Sequence, residues 1–165
     1  LSVHTLDTAV IAHCLGLLRN RRFGGSCDVN RLVLLALYHD CSEILTGDMP
    51  TPIKYYNPEI NDAYKKVEAV ANEKLVSMLP EDLRGDYRPL LCHENEDPEM
   101  LRLLKAADKL SALVKCIEEE NAGNREFSKA KQSTLRAIEE MRLPEADAFV
   151  AEFLPSYGLT VDELN

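Results

Sequence analysis

Residues Arg31-Leu32-Val33-Leu34-Leu35-Ala36-Leu37-Tyr38-His39-Asp40-Cys41-Ser42-Glu43 form an apolar run that ends in polar residues. An aspartate inside an apolar helix is costly, because a buried carboxylate must be paired, hydrogen-bonded or bound to a metal. The neighbouring imidazole is a common ligand for divalent transition metals. The pair His39-Asp40 therefore indicates a metal site in a helical core, although a capping or surface pair would give the same dipeptide.

Two further residues are candidate ligands of the same ion. His4 opens the first predicted helix, and Asp108 interrupts an apolar stripe at helical spacing that comprises Leu101, Leu104, Asp108 and Ala112. We expect Asp108 to be buried, and we expect His4, His39, Asp40 and Asp108 to face one core. A mixed set of histidine and aspartate ligands suits one divalent ion of Co, Mn, Fe, Ni, Cu or Zn. For His4 the alternative is a capping or surface histidine near a helix end.

Helical periodicity extends along the chain, and no segment shows the alternation of a strand. In the first helix we expect a broad buried face made of two apolar stripes, Leu6, Val10 and Leu17 beside Ile11, Leu15 and Leu18. Asp28 should cap a central second helix that runs to about Leu45. Capping, proline and glycine signals predict further helices over residues 58–79, 81–92, 98–120, 126–141 and 144–154. The predicted fold is all-α, in a single domain.

Composition limits the possible partners and compartment. The chain has 165 residues, enough for one domain with a real core, and a net charge of −9 that argues against binding a nucleic-acid polymer. No run approaches the roughly 18 apolar residues that span a bilayer, so no membrane partner is expected. The five cysteines are odd in number and lack a CxxC spacing, which favours a reducing cytoplasm over a disulfide framework.

Two acidic residues after the His-Asp pair are candidates for chemistry. On a continuous helix His39 and Asp40 would point about 100° apart and share one edge. Glu43 would then lie one turn beyond His39 on the same face, where a general acid or base beside an activated water is a sensible role. The alternative for Glu43 is a solvated glutamate at a helix end. Asp48 follows Gly47 in a turn, and the alternative for Asp48 is a turn-forming aspartate.

The order of a histidine, a His-Asp pair and a distant aspartate resembles the HD-domain metal-dependent phosphohydrolases. The run Glu43-Ile44-Leu45-Thr46-Gly47-Asp48-Met49-Pro50-Thr51-Pro52 is more specific and resembles the YfbR-like 5'-deoxynucleotidases of that superfamily. Similarity continues through residues 105–108, 115–119 and 153–157, so it covers nearly the whole chain.

The resemblance implies that residues 1–165 form one helical HD domain that removes the 5'-phosphate from deoxyribonucleoside 5'-monophosphates. It implies that Glu43 and Asp48 are catalytic and that Asp48, Met49, Pro50 and Thr51 hold the nucleotide. The ligands His4, Asp40 and Asp108 would also contact the substrate.

The resemblance further implies a homodimer. Family members carry an upstream helix whose arginine-tryptophan pair contacts phosphate and sugar, and we expect that helix to precede Leu1. Two alternatives stay open. One is an HD-type nucleotide phosphodiesterase, and the other is a non-catalytic helical binding protein whose metal is structural.

Overall fold

The computed structural model describes residues 2–48, 58–159 and 161–164, and every regular element in those ranges is helical, which confirms the all-α prediction. The helices are α1 (Ser2–Arg22), α2 (Val29–Tyr38), α3 (Glu43–Thr46), α4 (Pro58–Met78), α5 (Arg84–Cys92), α6 (Pro98–Asn121), α7 (Ser128–Glu140) and α8 (Pro144–Glu152). Short 3₁₀ turns occupy Glu81–Leu83, Arg125–Phe127, Leu154–Gly158 and Val161–Leu164. None of the described helices is both long enough and apolar enough to cross a bilayer.

The chain forms two compact units. The first comprises Leu1–Ala36 and Asp97–Asn165, and the second comprises Leu37–Glu96. In the first unit α6 is the central helix and packs against α1, α7 and α8. In the second unit α4 packs against α5 and α3.

The buried face of α1 is narrower than the sequence predicts. The stripe of Ile11, Leu15 and Leu18 is buried, as expected. The prediction for the other stripe is wrong, because the exposed fractions are 60% for Leu6, 62% for Val10 and 41% for Leu17. Both stripes have helical spacing, so periodicity alone cannot select between them. Small residues such as Ala9 and Ala12 complete the buried face instead and let α1 lie close to its neighbours.

The second helix is shorter than predicted. Asp28 does cap it, since its Oδ1 accepts a hydrogen bond from the Arg31 amide at 3.0 Å. However, α2 ends at Tyr38, and a turn over residues 39–42 separates it from α3. The prediction of one continuous helix to Leu45 is therefore wrong. The turn is held by short-range backbone bonds, from the Cys41 amide to the Tyr38 carbonyl at 3.2 Å and from the Glu43 amide to the Asp40 carbonyl at 3.0 Å.

The start of α6 follows the sequence signal closely. Pro98 occupies the first helical position, where its missing amide proton is not needed. The Asp97 side chain caps the helix by accepting a hydrogen bond from the Glu99 amide at 3.0 Å. Buried leucines such as Leu103, Leu110 and Leu113 then make α6 the core of the first unit.

One buried ion pair fixes α1 within the first unit. Arg19 Nε donates to Glu145 Oε1 on α8 at 2.7 Å, and its guanidinium also lies 3.4 Å from Glu99 on α6. The Glu145 side chain is only 2% exposed, whereas that of Arg19 is 15% exposed. The carboxylate therefore depends on the arginine more than the arginine depends on the carboxylate, because Arg19 retains Glu99 and partial contact with water.

This asymmetry predicts the effect of removing each partner. Arg19→Met should lower the free energy of unfolding by about 3–5 kcal/mol, because it leaves the Glu145 charge buried and unpaired. The double variant Arg19→Met/Glu145→Leu should be more stable than Arg19→Met alone. Urea unfolding measures both. The exposed pair of Arg22 and Glu152 supplies the control, since Arg22→Met should change stability little. A double variant no more stable than Arg19→Met would contradict this account.

Candidate functional site

The first unit brings His4 and Asp108 together. His4 lies in the first turn of α1, and its Nε2 is 3.0 Å from Oδ1 of Asp108 on α6. An imidazole nitrogen and a carboxylate oxygen are both donors to divalent transition metals, so this pair could hold part of a metal site as well as share a hydrogen bond. The prediction that these two residues meet in the fold is confirmed.

Asp108 is less buried than the sequence predicts. Its side chain is 44% exposed, and that of His4 is 32% exposed, so the expectation of a buried carboxylate is wrong. Asp108 lies at the edge of the α1–α6 contact, where part of the carboxylate stays hydrated. Its neighbours Ala107 and Leu110 occupy the buried face of the helix. The apolar stripe in the sequence therefore marked the edge of the core rather than its centre.

Ser111 completes the surroundings of the His4 ring. It lies three residues after Asp108 on α6, and its Oγ is 3.0 Å from His4 Nδ1. Ser111 is only 2% exposed. Ser111 was not predicted as a site residue, because a serine within a helix carries no functional signal by itself. The available signal was its spacing from Asp108, since residues three apart on a helix lie side by side on one face.

The second unit contains the other histidine-aspartate pair. His39 Nε2 lies 3.1 Å from Asp40 Oδ2, and the side chains are 8% and 22% exposed. Adjacent residues on a helix would point about 100° apart. Here both residues lie in the turn after α2, so the helical geometry predicted for them is wrong. The turn brings His39 Nε2 and Asp40 Oδ2 to the same side of the chain. The prediction of a paired, largely buried His-Asp dipeptide still describes the site.

Glu43 and Asp48 flank the short helix α3. Glu43 is its first residue and is half-buried, and its amide bonds to the Asp40 carbonyl, so the backbones of the two residues are coupled. The prediction that Glu43 lies one helical turn after His39 is wrong, because a turn separates them. Asp48 is exposed and follows Gly47, whose positive φ of 69° ends the helix. Tyr64 Oη donates to the Gly47 carbonyl at 3.2 Å and so holds this loop against α4.

Three predicted substrate contacts, Met49, Pro50 and Thr51, lie outside the described residues. The other two histidines, His13 and His93, are not among the predicted ligands. His13 is exposed on α1, and His93 ends α5 in a left-handed conformation with φ of 54°. Burial raises the pKa of the Cys41 thiol, and the Asp40 charge raises it further, so this side chain stays protonated near neutral pH.

Comparison with known proteins gives a consistent result along the chain. Residues 1–157 match the model of the family described as 5'-deoxynucleotidase YfbR-like. The chain is 47% identical over 165 residues to a 5'-deoxynucleotidase of Vibrio cholerae, a match that covers 100% of this chain and 85% of the relative. It is also 47% identical over 164 residues to a 5'-deoxynucleotidase of Yersinia pestis, covering 99% of this chain and 83% of the relative.

Solved structures show the same similarity at the level of the fold. An HD-domain phosphohydrolase from Listeria innocua superposes with a TM-score of 0.81 at 28% identity, covering 93% of this chain and 74% of that one. A protein from Pyrococcus horikoshii superposes with a TM-score of 0.66 at 24% identity, covering 95% of this chain and 81% of that one. The second likeness concerns the fold alone.

Proposed function

Because the chain belongs to the YfbR-like 5'-deoxynucleotidase family, whose model matches residues 1–157, we propose that it removes the 5'-phosphate from deoxyribonucleoside 5'-monophosphates. The products are a deoxynucleoside and inorganic phosphate. The observation that carries the proposal is the presence of one histidine-aspartate pair in each unit, with donor atoms 3.0 Å apart in His4–Asp108 and 3.1 Å apart in His39–Asp40.

In this proposal His4, His39, Asp40 and Asp108 bind one divalent ion of Co, Mn, Fe, Ni, Cu or Zn. Two imidazoles and two carboxylates suit each of these metals, and the close spacing within each pair supports ligation rather than chance proximity. When bound, such an ion supplies positive charge that polarises the phosphoryl oxygens and acidifies a water molecule. Phosphate monoesters need this assistance, because their uncatalysed hydrolysis is among the slowest reactions known.

Glu43 moves a proton between the attacking water and the leaving 5'-oxygen. Three properties support this role. Its side chain is half-buried, its amide is bonded to the carbonyl of the proposed ligand Asp40, and it is not itself one of the proposed ligands. A carboxyl group fixed beside the ligands, yet free of the metal, can act as a general acid or base.

The substrate contacts come from two groups of residues. Asp48, Met49, Pro50 and Thr51 bind the nucleotide, and the exposed position of Asp48 after Gly47 supports this role, with a further part for Asp48 in catalysis. The ligands His4, Asp40 and Asp108 contact the phosphate.

The enzyme is a homodimer, as the family resemblance implies. It works in the cytoplasm, and its five free cysteines at positions 14, 27, 41, 92 and 116 support a reducing compartment.

The proposed activity is tested by measuring phosphate release from each deoxyribonucleoside 5'-monophosphate with each of the six divalent metals. We expect turnover of the 5'-monoesters and none of a phosphodiester. Asp108→Ala should abolish metal binding or weaken it severely and lose activity, whereas Glu118→Ala, an exposed carboxylate on the same helix, should retain both. Metal content by mass spectrometry accompanies the assay. Tight metal binding by Asp108→Ala, or turnover of the diester alone, would disprove the assignment.

Glu43→Ala should keep the fold and the metal but lose turnover by about 10²–10⁴-fold, the usual effect of removing a general acid or base. The measurement is kcat at saturating deoxynucleotide, with bound metal quantified in the same sample. Glu59→Ala, an exposed carboxylate in the first turn of α4, is the matched control and should not change the rate. An unchanged rate for Glu43→Ala would identify Glu43 as a solvated residue at a helix end.

A further inference from the structure

Both ring nitrogens of His4 are in contact with side chains of α6. Nε2 lies 3.0 Å from Asp108 Oδ1, and Nδ1 lies 3.0 Å from Ser111 Oγ. Asp108 belongs to the proposed ligand set, whereas Ser111 has no role in it. The serine therefore needs a separate explanation.

The position of Ser111 makes its hydroxyl hard to replace by solvent. The residue is 2% exposed and lies where α6 packs against α1. Its Oγ is also 3.5 Å from the backbone oxygen of His4, to which the hydroxyl can donate. A hydroxyl is both a donor and an acceptor, so it can serve Nδ1 in either protonation form of a neutral imidazole.

The two neutral forms of His4 place different demands on this site. With the proton on Nε2, the ring donates to Asp108, and Ser111 donates to Nδ1. With the proton on Nδ1, the ring donates to Ser111 Oγ, and the hydroxyl proton turns towards the His4 carbonyl. Nε2 then presents a lone pair 3.0 Å from a carboxylate oxygen. Two acceptors at this distance repel one another unless a cation lies between them.

We propose that Ser111 is a positioning residue for metal binding, which accepts the Nδ1 proton of His4 and so stabilises the form in which the Nε2 lone pair and Asp108 Oδ1 both face the ion. The inference rests on the ligand roles given to His4 and Asp108 in the proposed function. Metal-binding histidines almost always donate their second N–H to a fixed partner, which sets the ring orientation and the site of metal binding. Ser111 is that partner for His4.

The test compares metal affinity in three forms of the 165-residue chain: the parent, Ser111→Ala and Thr8→Val. Alanine is a good helix former and removes one oxygen, so Ser111→Ala should fold. Thr8 is the control, because it is also a buried hydroxyl and lies one turn after His4, and no described residue hydrogen-bonds its Oγ1. Co²⁺ affinity is measured by competition with a chelator, and folding is checked by thermal unfolding.

We expect Ser111→Ala to bind Co²⁺ about 10–100-fold more weakly than the parent, the usual effect of losing the partner of a ligating histidine. Thr8→Val should bind Co²⁺ like the parent even if it unfolds at a lower temperature. Equal affinity of Ser111→Ala and the parent would overturn the proposal, and so would equal weakening in both variants. A parent that binds Co²⁺ but releases no phosphate would disprove the proposed activity. The role of Ser111 is decided separately, by the Co²⁺ affinity of Ser111→Ala relative to that of the parent.

A second measurement needs no variant at Ser111. In the Zn²⁺-loaded parent with ¹⁵N-labelled histidine, long-range proton–nitrogen spectra report which ring nitrogen carries the proton. His4 is assigned from the signal lost in His4→Ala. We expect the proton on Nδ1 and the metal on Nε2. A metal on Nδ1 would overturn the proposal, because Ser111 could not then accept from that nitrogen.

Discussion

The packing of α1 against α6 is the constraint on which the first unit depends. The two helices run antiparallel, because His4 near the start of α1 meets Asp108, while Arg19 near its end meets Glu99 at the start of α6. His4 and Asp108 are 104 positions apart in the sequence, so only this packing brings them together. The buried pair of Arg19 and Glu145 ties the same helix to α8. Sliding or rotating α1 would break contacts at both of its ends.

Sequence patterns predicted the parts of the fold whose signals are local. The start of α6 was predictable because Asp97 and Pro98 satisfy or remove the first free amides of a helix. The end of α2 was not, because no glycine or proline precedes the turn over residues 39–42 and the apolar run favours a helix on either side. The exposed stripe of α1 was equally hidden, since Val10 and Ile11 are both apolar and only tertiary packing selects which of them is buried.

The candidate site shows the same division between local and tertiary information. The residue types in His39-Asp40 already indicated metal chemistry, because a carboxylate beside an imidazole in an apolar stretch needs a partner. The spacing of Ser111 from Asp108 placed both on one face of α6, but the contact of Ser111 with His4 depends on how α1 and α6 face each other. Asp108 was recognised as a ligand candidate for a partly wrong reason, since it lies half-exposed at the edge of the core rather than within it.

The proposed function requires His4, His39, Asp40 and Asp108 to bind one shared ion. Anomalous diffraction from crystals of the Co²⁺-loaded chain, recorded at the cobalt absorption edge, locates the bound ion and its ligands. We expect one strong peak per chain, within about 2.0–2.2 Å of a donor atom from each of the four residues. Separate peaks at the two histidine-aspartate pairs, or one peak bound by a single pair, would contradict it.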